Sequence, residues 1–462
     1  MTSSMGRNVA VTAVVLLSLR ALGQPGEIQS GEGIDAGSPA AEAVAPAPAA
    51  PEPVADTAEG WGDFAQEAAP KIFEGRLYGY IDSYLENTFG APTGLLDANG
   101  KPAYAEGGWE WDVLNLHIMA QGSVYGRYRY FVNMVARSAG AMGTDQFVRI
   151  RNAWVEAPLM GSALQVRAGK TYRRFGLYNE VLDAVPTFIG IEPPELFDTD
   201  HLMLTRTTNA MVHGSFALPK STLSYAVSVG NDERIDKAFP IGADLRLDYS
   251  GLLLVGTSFY WSGGPSQSAQ SVGDGAPSGG VATWMKQDEY FVTGAYAQLT
   301  WQRLLLQAEY WYAGHNAQRD PTAVAQLEGA KLAPWQQQRY FVDGDPAKGT
   351  TDPNARYSVQ TFYARGGYQL ALGDTATLTP YLQFDWYQNP EAIRAKSFGG
   401  DNEAGRGDGG SFLKLTAGGV FRPVPQVALK VDYSTHVYNV SRQVALEHEL
   451  RASFSYLWEV TP

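Results

Sequence analysis

An alternation of apolar and polar residues, with a period of two, runs from residue 75 almost to the end of the chain. The stretch 411–437, SFLKLTAGGVFRPVPQVALKVDYSTHV, shows it on both sides of a turn. Leu413 and Leu415 alternate with Lys414 and Thr416, and the alternation resumes beyond the Arg-Pro-Val-Pro segment. Such a pattern predicts a β-hairpin with one apolar face and one charged face.

The same pattern predicts sixteen strands, separated in turn by short and long connections. The short connections carry turn residues, whereas the long ones (173–205, 263–288, 315–354 and 389–411 among them) are rich in Gly, Pro, Asp and Asn. Short turns at one end and long loops at the other predict a 16-stranded antiparallel transmembrane β-barrel with long extracellular loops. The predicted strands are 75–87, 110–123, 127–137, 145–158, 163–172, 206–218, 222–230, 241–249, 252–262, 289–299, 302–314, 355–370, 376–388, 412–421, 427–437 and 445–458.

The apolar faces of these strands suit contact with lipid. In strand 445–458 that face is made of Leu446, Leu450, Ala452, Phe454, Tyr456 and Trp458. Aromatic residues gather towards strand ends, at 260–261, 310–312, 386–387 and 456–458, as in the interfacial girdles of membrane barrels. A soluble β-sandwich with one wet face is the alternative. The membrane barrel is favoured, and in it the charged faces would line a water-filled lumen.

The first seventy residues differ from the rest of the chain. An apolar run at 9–19 follows Arg7 and precedes a small-x-small site, which predicts a signal peptide over 1–23. Residues 24–70 hold seven prolines, nine acidic residues and no Lys or Arg, which predicts a disordered periplasmic segment. The barrel domain is therefore expected over 71–462, in a bacterial outer membrane with outer-membrane lipid around it.

Composition and spacing indicate few other partners. No basic stripe points to nucleic acid, and the chain contains no cysteine. The histidines 117, 201, 315, 436 and 448 lack the spacing of zinc ligands, so no metal site and no cofactor are predicted.

The third long loop, 173–205, is the candidate constriction. Sixteen strands leave an aqueous lumen, and this loop has apolar residues, Phe188 and Ile191 among them, that a loop lying wholly in solvent would not need. We therefore expect it to fold inward and narrow the lumen. An external cap packed on neighbouring loops is the alternative.

Charged residues predict a polarised lumen. With the apolar faces towards lipid, strands three to five project Arg127, Arg129, Arg137, Arg149, Arg151 and Arg167 inward, and Arg173 and Arg174 follow at the base of the loop. No acidic residue shares that face in this register, and the loop offers Glu180, Asp183, Glu192 and Glu195. Arginines facing loop carboxylates predict a transverse field and a weak anion preference carried by Arg149, Arg151 and Arg167. In the alternative, the arginines only keep the lumen wet and pair with the loop acids.

Two short motifs carry a family resemblance. The stretch LQVRAGKTYRRFGLYNE (164–180) and the preceding RNAWVE (151–156) resemble bacterial porins of the phosphate-selective porin O/P-like superfamily. The resemblance implies a homotrimer, a third loop that forms the eyelet, and passive diffusion of small hydrophilic solutes or anions. The lysine-rich phosphate ladder of that superfamily is not evident, so phosphate specificity is not carried over.

Two rival functions were weighed against a channel. His213 and Ser215 share one strand face, as in the His-x-Ser pair of outer-membrane phospholipases. The better lipid face (Ala210, Val212, Gly214 and Phe216) turns both inward, so no catalytic residue and no enzyme are predicted. A TonB-dependent transporter would need a folded plug, and 24–70 is too poor in apolar residues to form one.

Overall fold

A computed structural model describes residues 73–137, 147–181, 184–195, 207–231, 239–264, 266–267, 284–326, 332–393 and 403–460. The signal peptide and the disordered segment expected over 1–70 lie outside the described residues. Among the residues that are described, no helix has both the length and the apolar character to cross a membrane.

Twenty strands account for most of the described chain, and two short helices lie in one of the long loops, α1 at Pro321–Gln326 and α2 at Pro334–Tyr340. The strands are β1 Phe73–Phe89, β2 Pro92–Leu96, β3 Pro102–Tyr104, β4 Gly108–Val124, β5 Tyr128–Arg137, β6 Phe147–Met160, β7 Leu164–Thr171, β8 Thr207–Leu218, β9 Ser221–Asn231, β10 Ile241–Tyr249, β11 Leu253–Trp261, β12 Ser266–Gln267, β13 Met285–Trp301, β14 Leu304–Arg319, β15 Asn354–Tyr368, β16 Leu370–Leu372, β17 Ala376–Gln388, β18 Ser411–Arg422, β19 Val427–Val440 and β20 Gln443–Val460.

The strands form one closed antiparallel barrel. β1 pairs with β4 on one side and with β20 on the other, and each pairing joins neighbours in the sequence around the wall. β12 continues β11 along β13, and β16 continues β15 along β17, so the wall has 16 strands. β2 and β3 form a separate hairpin in the first long loop. The fold class predicted from the alternation is confirmed.

Exposure of the side chains follows the predicted faces. Leu415 is 54% exposed and Leu382 is 68% exposed, whereas Lys414 and Lys430 on the inner face are 3% and 1% exposed. The outer wall thus presents rows of leucine, valine and phenylalanine. Water would not tolerate an apolar surface of this extent around a monomer, whereas lipid would.

The aromatic clusters were predicted to be girdles, and only part of each cluster points outward. Tyr260, Trp311 and Tyr387 are at most 1% exposed and lie inside the barrel. Their sequence neighbours Trp261 and Trp386 occupy the outer face, because successive side chains of a strand point to opposite faces. The inner members instead form the core against which the third loop packs.

A β-bulge in β6 overturns one expectation about the arginine wall. Asn152 pairs with Asn133, and Ile150 pairs with the next residue, Met134, so Arg151 is an extra residue in the ladder. An extra residue reverses the faces of everything beyond it. Glu156 therefore points into the lumen, where it is 2% exposed. The prediction that no acidic residue shares the inner face of these strands is wrong.

Candidate functional site

The third loop, residues 172–206 between β7 and β8, enters the barrel at its first described turn. The Phe175 ring stacks on Trp311 with 4.2 Å between centroids. The Gly176 amide donates to Ser258 Oγ at 3.1 Å, and the Leu177 amide donates to Glu309 Oε1 at 3.2 Å. Gly176 has φ +62°, and a side chain there would collide with the Glu309 carboxylate. Backbone and wall therefore approach at a distance that only glycine permits.

Tyr178 anchors the next part of the loop. Its hydroxyl donates to Gln307 Oε1 at 2.7 Å and accepts from Arg365 at 2.7 Å. The ring packs edge-on against Phe188 of the same loop and against Tyr363 of β15. Phe188 is 5% exposed, so the apolar loop residues that the sequence singled out are buried in the lumen.

The later part of the loop is held by polar contacts to the wall on β17 to β19. Lys430 Nζ donates to the Gly190 carbonyl at 2.8 Å. The Ile191 amide donates to Asp432 Oδ2 at 3.3 Å, and the Glu195 amide donates to Asp385 Oδ1 at 3.2 Å. The inward folding expected of this loop thus holds in its described segments, 172–181 and 184–195.

The loop carboxylates Glu192 and Glu195 meet cations that the sequence reasoning missed. Glu195 contacts Lys414 Nζ, and Glu192 contacts the Arg451 guanidinium. Lys414 Nζ also lies 3.6 Å from Glu192 Oε2. The alternation already placed Lys414 on the charged face, but partner choice depends on how the barrel closes. The transverse arrangement with Arg149 and Arg151 was therefore assigned to the wrong wall for these two acids.

Glu180 is the loop acid that does pair with predicted arginine partners. Its Oε2 accepts from Arg174 Nε at 3.2 Å and lies 3.5 Å from the Arg246 guanidinium of β10. Burial raises the pKa of this carboxyl, but Arg174 and Arg246 outweigh burial and hold the pKa at about 2. Glu180 is therefore ionised throughout the physiological range. Asp183, the fourth predicted loop acid, lies outside the described residues.

Arg173 has a structural position. It is 1% exposed, and its guanidinium donates to Ser228 Oγ and to the Pro240 carbonyl, both at 3.2 Å. The same group lies 5.4 Å from the centre of the Tyr260 ring. A guanidinium enclosed in this way fastens the base of the loop to β9 and is not offered to solutes.

Glu156 organises a cluster on β6 to β8. Arg167 binds it at 2.8 Å, Arg129 also contacts it, and His213 Nε2 lies 2.8 Å from Glu156 Oε2. Arg167 additionally lies 4.1 Å from the centre of the Trp154 ring. Arg129 and Arg167 are on the inner face, as predicted, but each is paired with a carboxylate.

The remaining predicted arginines divide by position. Arg149 lies in the ladder opposite Val135, which is 2% exposed and faces inward, and Arg151 is the half-buried bulge residue. Arg127 lies in the turn before β5, exposed at the short-turn end, so its placement on the inner wall is wrong. The side chain of Arg137 lies outside the described part of the structure.

Comparisons with known proteins point to solved barrels only. No protein-family model matches the sequence, and no curated protein matches it. Similar structures include the channel DcaP of Acinetobacter baumannii, with 12% identity, 84% of this chain and 97% of that chain covered, and a TM-score of 0.48. The anion-selective porin of Comamonas acidovorans has 12% identity, coverages of 84% and 100%, and a TM-score of 0.47. OmpF of Salmonella typhi has 14% identity, coverages of 83% and 97%, and a TM-score of 0.46. At these values, the likeness decides nothing about function.

Proposed function

We propose that this protein is an outer-membrane porin, a water-filled channel through which small hydrophilic solutes diffuse passively. The observation that carries the proposal is the division of the wall. Apolar side chains cover the outside of 16 strands, and ionised and hydrogen-bonded side chains cover the inside. Such a wall fits lipid on one side and water on the other. The family resemblance of segment 151–180 adds a homotrimer to the proposal, but no phosphate specificity.

The third loop is proposed to set the narrowest point of this channel. Its described contacts run along β10, β11, β14, β15 and β17 to β20, where it is packed against the wall. The open passage is therefore proposed on the opposite side, along β4 to β7. Solutes would pass between the loop and the inner face that bears Arg149 and Arg151.

A weak anion preference follows from the charges of that passage. The described inner faces of β5, β6 and β7 carry Arg129, Arg149, Arg151 and Arg167 but, among acids, only Glu156. Two unit charges about 4 Å apart interact by roughly 4 kcal/mol at an effective dielectric constant near 20. A surplus of guanidinium groups can therefore bias which ions enter, and salt should weaken the bias by screening.

We expect the double substitution Arg149→Gln and Arg151→Gln to move the reversal potential in a salt gradient towards cations. Glutamine keeps the hydrogen-bonding length and removes two charges from the passage. Arg127→Gln is the matched control: it also removes a guanidinium, but from the exposed turn, and should leave the reversal potential unchanged. An unmoved potential in the double variant would remove these arginines from the selectivity filter.

A phospholipase-like enzyme is not favoured. His213 Nε2 faces Glu156, and no hydrogen bond joins His213 to the Ser215 hydroxyl in the described part of the chain. Both side chains are on the inner face, away from lipid acyl chains. Hydrolysis of phospholipid by the purified protein, lost in Ser215→Ala, would overturn this assignment.

We expect residues 24–70 to be dispensable for the channel. Their composition cannot form a core, so a chain in which residue 23 is joined directly to Lys71 should still assemble. Mobility on gels before and after heating and channel conductance should both match those of the full chain. Failure to assemble would reveal a structural role for the segment.

The substrate class is tested by swelling of vesicles that contain the purified protein. Small neutral sugars should enter quickly, and entry should fall steeply with sugar size, without saturation. Entry that saturates at low solute concentration, or that is confined to one solute, would contradict passive diffusion and favour a dedicated binding site.

A further inference from the structure

A cluster of carboxylates around His436 has no role in the proposed channel. Glu195 comes from the third loop, Glu403 from the loop between β17 and β18, and Glu447 and Glu449 from β20. The ligand atoms of Glu195, Glu403 and His436 lie within 4.8 Å of one another, and so do those of His436, Glu447 and Glu449. His436 is completely buried, and Glu195, Glu447 and Glu449 are nearly so.

Hydrogen bonds fix the orientation of the imidazole. The Tyr438 hydroxyl donates to Glu447 Oε2 at 2.9 Å, so its oxygen is left to accept from His436 Nδ1 at 3.2 Å. The neutral ring then carries its lone pair on Nε2. This buried nitrogen has no hydrogen-bond partner, and Glu449 Oε2 lies 3.8 Å from it. A lone pair and a carboxylate oxygen that face each other repel unless a proton or a cation lies between them.

The charges around the ring leave a negative excess. Two cations enter the cluster: Lys414 contacts Glu195, and Arg406 contacts Glu447. The nearby Arg451 is engaged by Asp432 and Glu192, which add more negative charge than it removes. Four carboxylates against two cations leave about the charge of one divalent ion, and buried charges of one sign are costly without a counter-ion.

We propose that His436, Glu195, Glu403 and Glu449 bind a divalent metal ion of the zinc type. One imidazole nitrogen with carboxylate oxygens is a donor set that zinc accepts. Tyr438 and Glu447 would hold the imidazole from behind, as carboxylate partners of ligating histidines do. The ion would join the third loop and the loop after β17 to the barrel wall. The site stands whether or not the barrel conducts.

Sequence spacing could not reveal this site. Its ligands come from four segments, and Glu195 and His436 are brought together only by the inward fold of the third loop and by closure of the wall. Spacing of histidines tests for ligands on one element or one hairpin. The expectation of no metal site therefore rested on a pattern to which this cluster does not conform.

The test is Zn²⁺ binding by the full-length, folded protein in detergent after removal of metals with a chelator. Calorimetry should show one tight equivalent of Zn²⁺, and Co²⁺ at the same site should give the visible absorption of a low-coordinate ion. His436→Gln should weaken the affinity at least about tenfold, the lower range for loss even of a residue that supports a ligand. Glu403→Gln, a loop substitution that spares the strands, should also weaken it.

His448→Gln is the matched control. His448 lies on β20 between Glu447 and Glu449 but points outward, where its Nδ1 lies 2.7 Å from the Tyr433 hydroxyl. Its loss should leave the tight equivalent intact. The proposal is overturned if the folded wild-type protein binds no tight equivalent, since a protonated imidazole then balances the charge. It is also overturned if His436→Gln and Glu403→Gln bind as the wild type does.

Discussion

Deleting residues 184–195 and bridging the gap with glycine and serine should raise the single-channel conductance at least about twofold, since a 16-stranded wall alone encloses an aqueous channel. The deleted segment contains Phe188 and Ile191, which are buried inside the barrel. It also contains the backbone groups that contact Lys430, Asp432 and Asp385. Its removal should therefore empty a large part of the lumen. Single-channel recording in planar bilayers measures the effect.

Deletion of 97–101 is the control for this experiment. These residues form the exposed tip of the β2–β3 hairpin in the first long loop, and they lie outside the wall. Their loss should leave the conductance unchanged. If the 184–195 deletion also leaves it unchanged in a correctly assembled barrel, the third loop does not determine the narrowest point.

The second large effect is expected in stability. Arg451 is 3% exposed, its Nε donates to Asp432 Oδ1 at 3.0 Å, and it also contacts Glu192. Arg451→Met keeps the volume of the side chain but leaves Asp432, which is almost fully buried, without this cation. Removing one partner of a buried ion pair lowers the free energy of unfolding by about 3–5 kcal/mol. Urea unfolding from lipid vesicles measures the loss.

Arg76→Met provides the comparison. Arg76 lies 3.9 Å from Glu459, and both side chains are at least half exposed. An exposed pair of this kind contributes about 0–1 kcal/mol. A loss of the same size in both variants would mean that burial does not set the strength of these pairs, contrary to the charge clusters assigned to the lumen.

Much of the wall could be predicted from the sequence, because a strand has a side-chain period of two and each strand reports its own faces. All sixteen segments were recovered, and Lys414, Lys430 and Asp432 were assigned to the charged face on which they lie. The prediction failed at Arg151, where one extra residue reverses the faces of β6 and turns Glu156 inward. A bulge of this kind leaves no mark in an alternation that continues on both sides of it.

The partners of the third loop could not be predicted for a different reason. Glu192 and Arg451 are 259 residues apart in the chain, and Glu195 and Lys414 are 219 residues apart. Their contacts depend on how far the loop reaches across the closed barrel. The sequence indicated that the loop is apolar and acidic enough to fold inward, but not which side of the lumen it would occupy.

The most direct test of the central claim is the conductance of the purified, heat-modifiable protein in planar lipid bilayers. A water-filled channel predicts discrete, ohmic steps that increase in proportion to bulk salt conductivity, with only a weak preference between anions and cations. A correctly folded barrel that inserts into the bilayer and produces no steps would contradict it, because the third loop would then close the lumen completely.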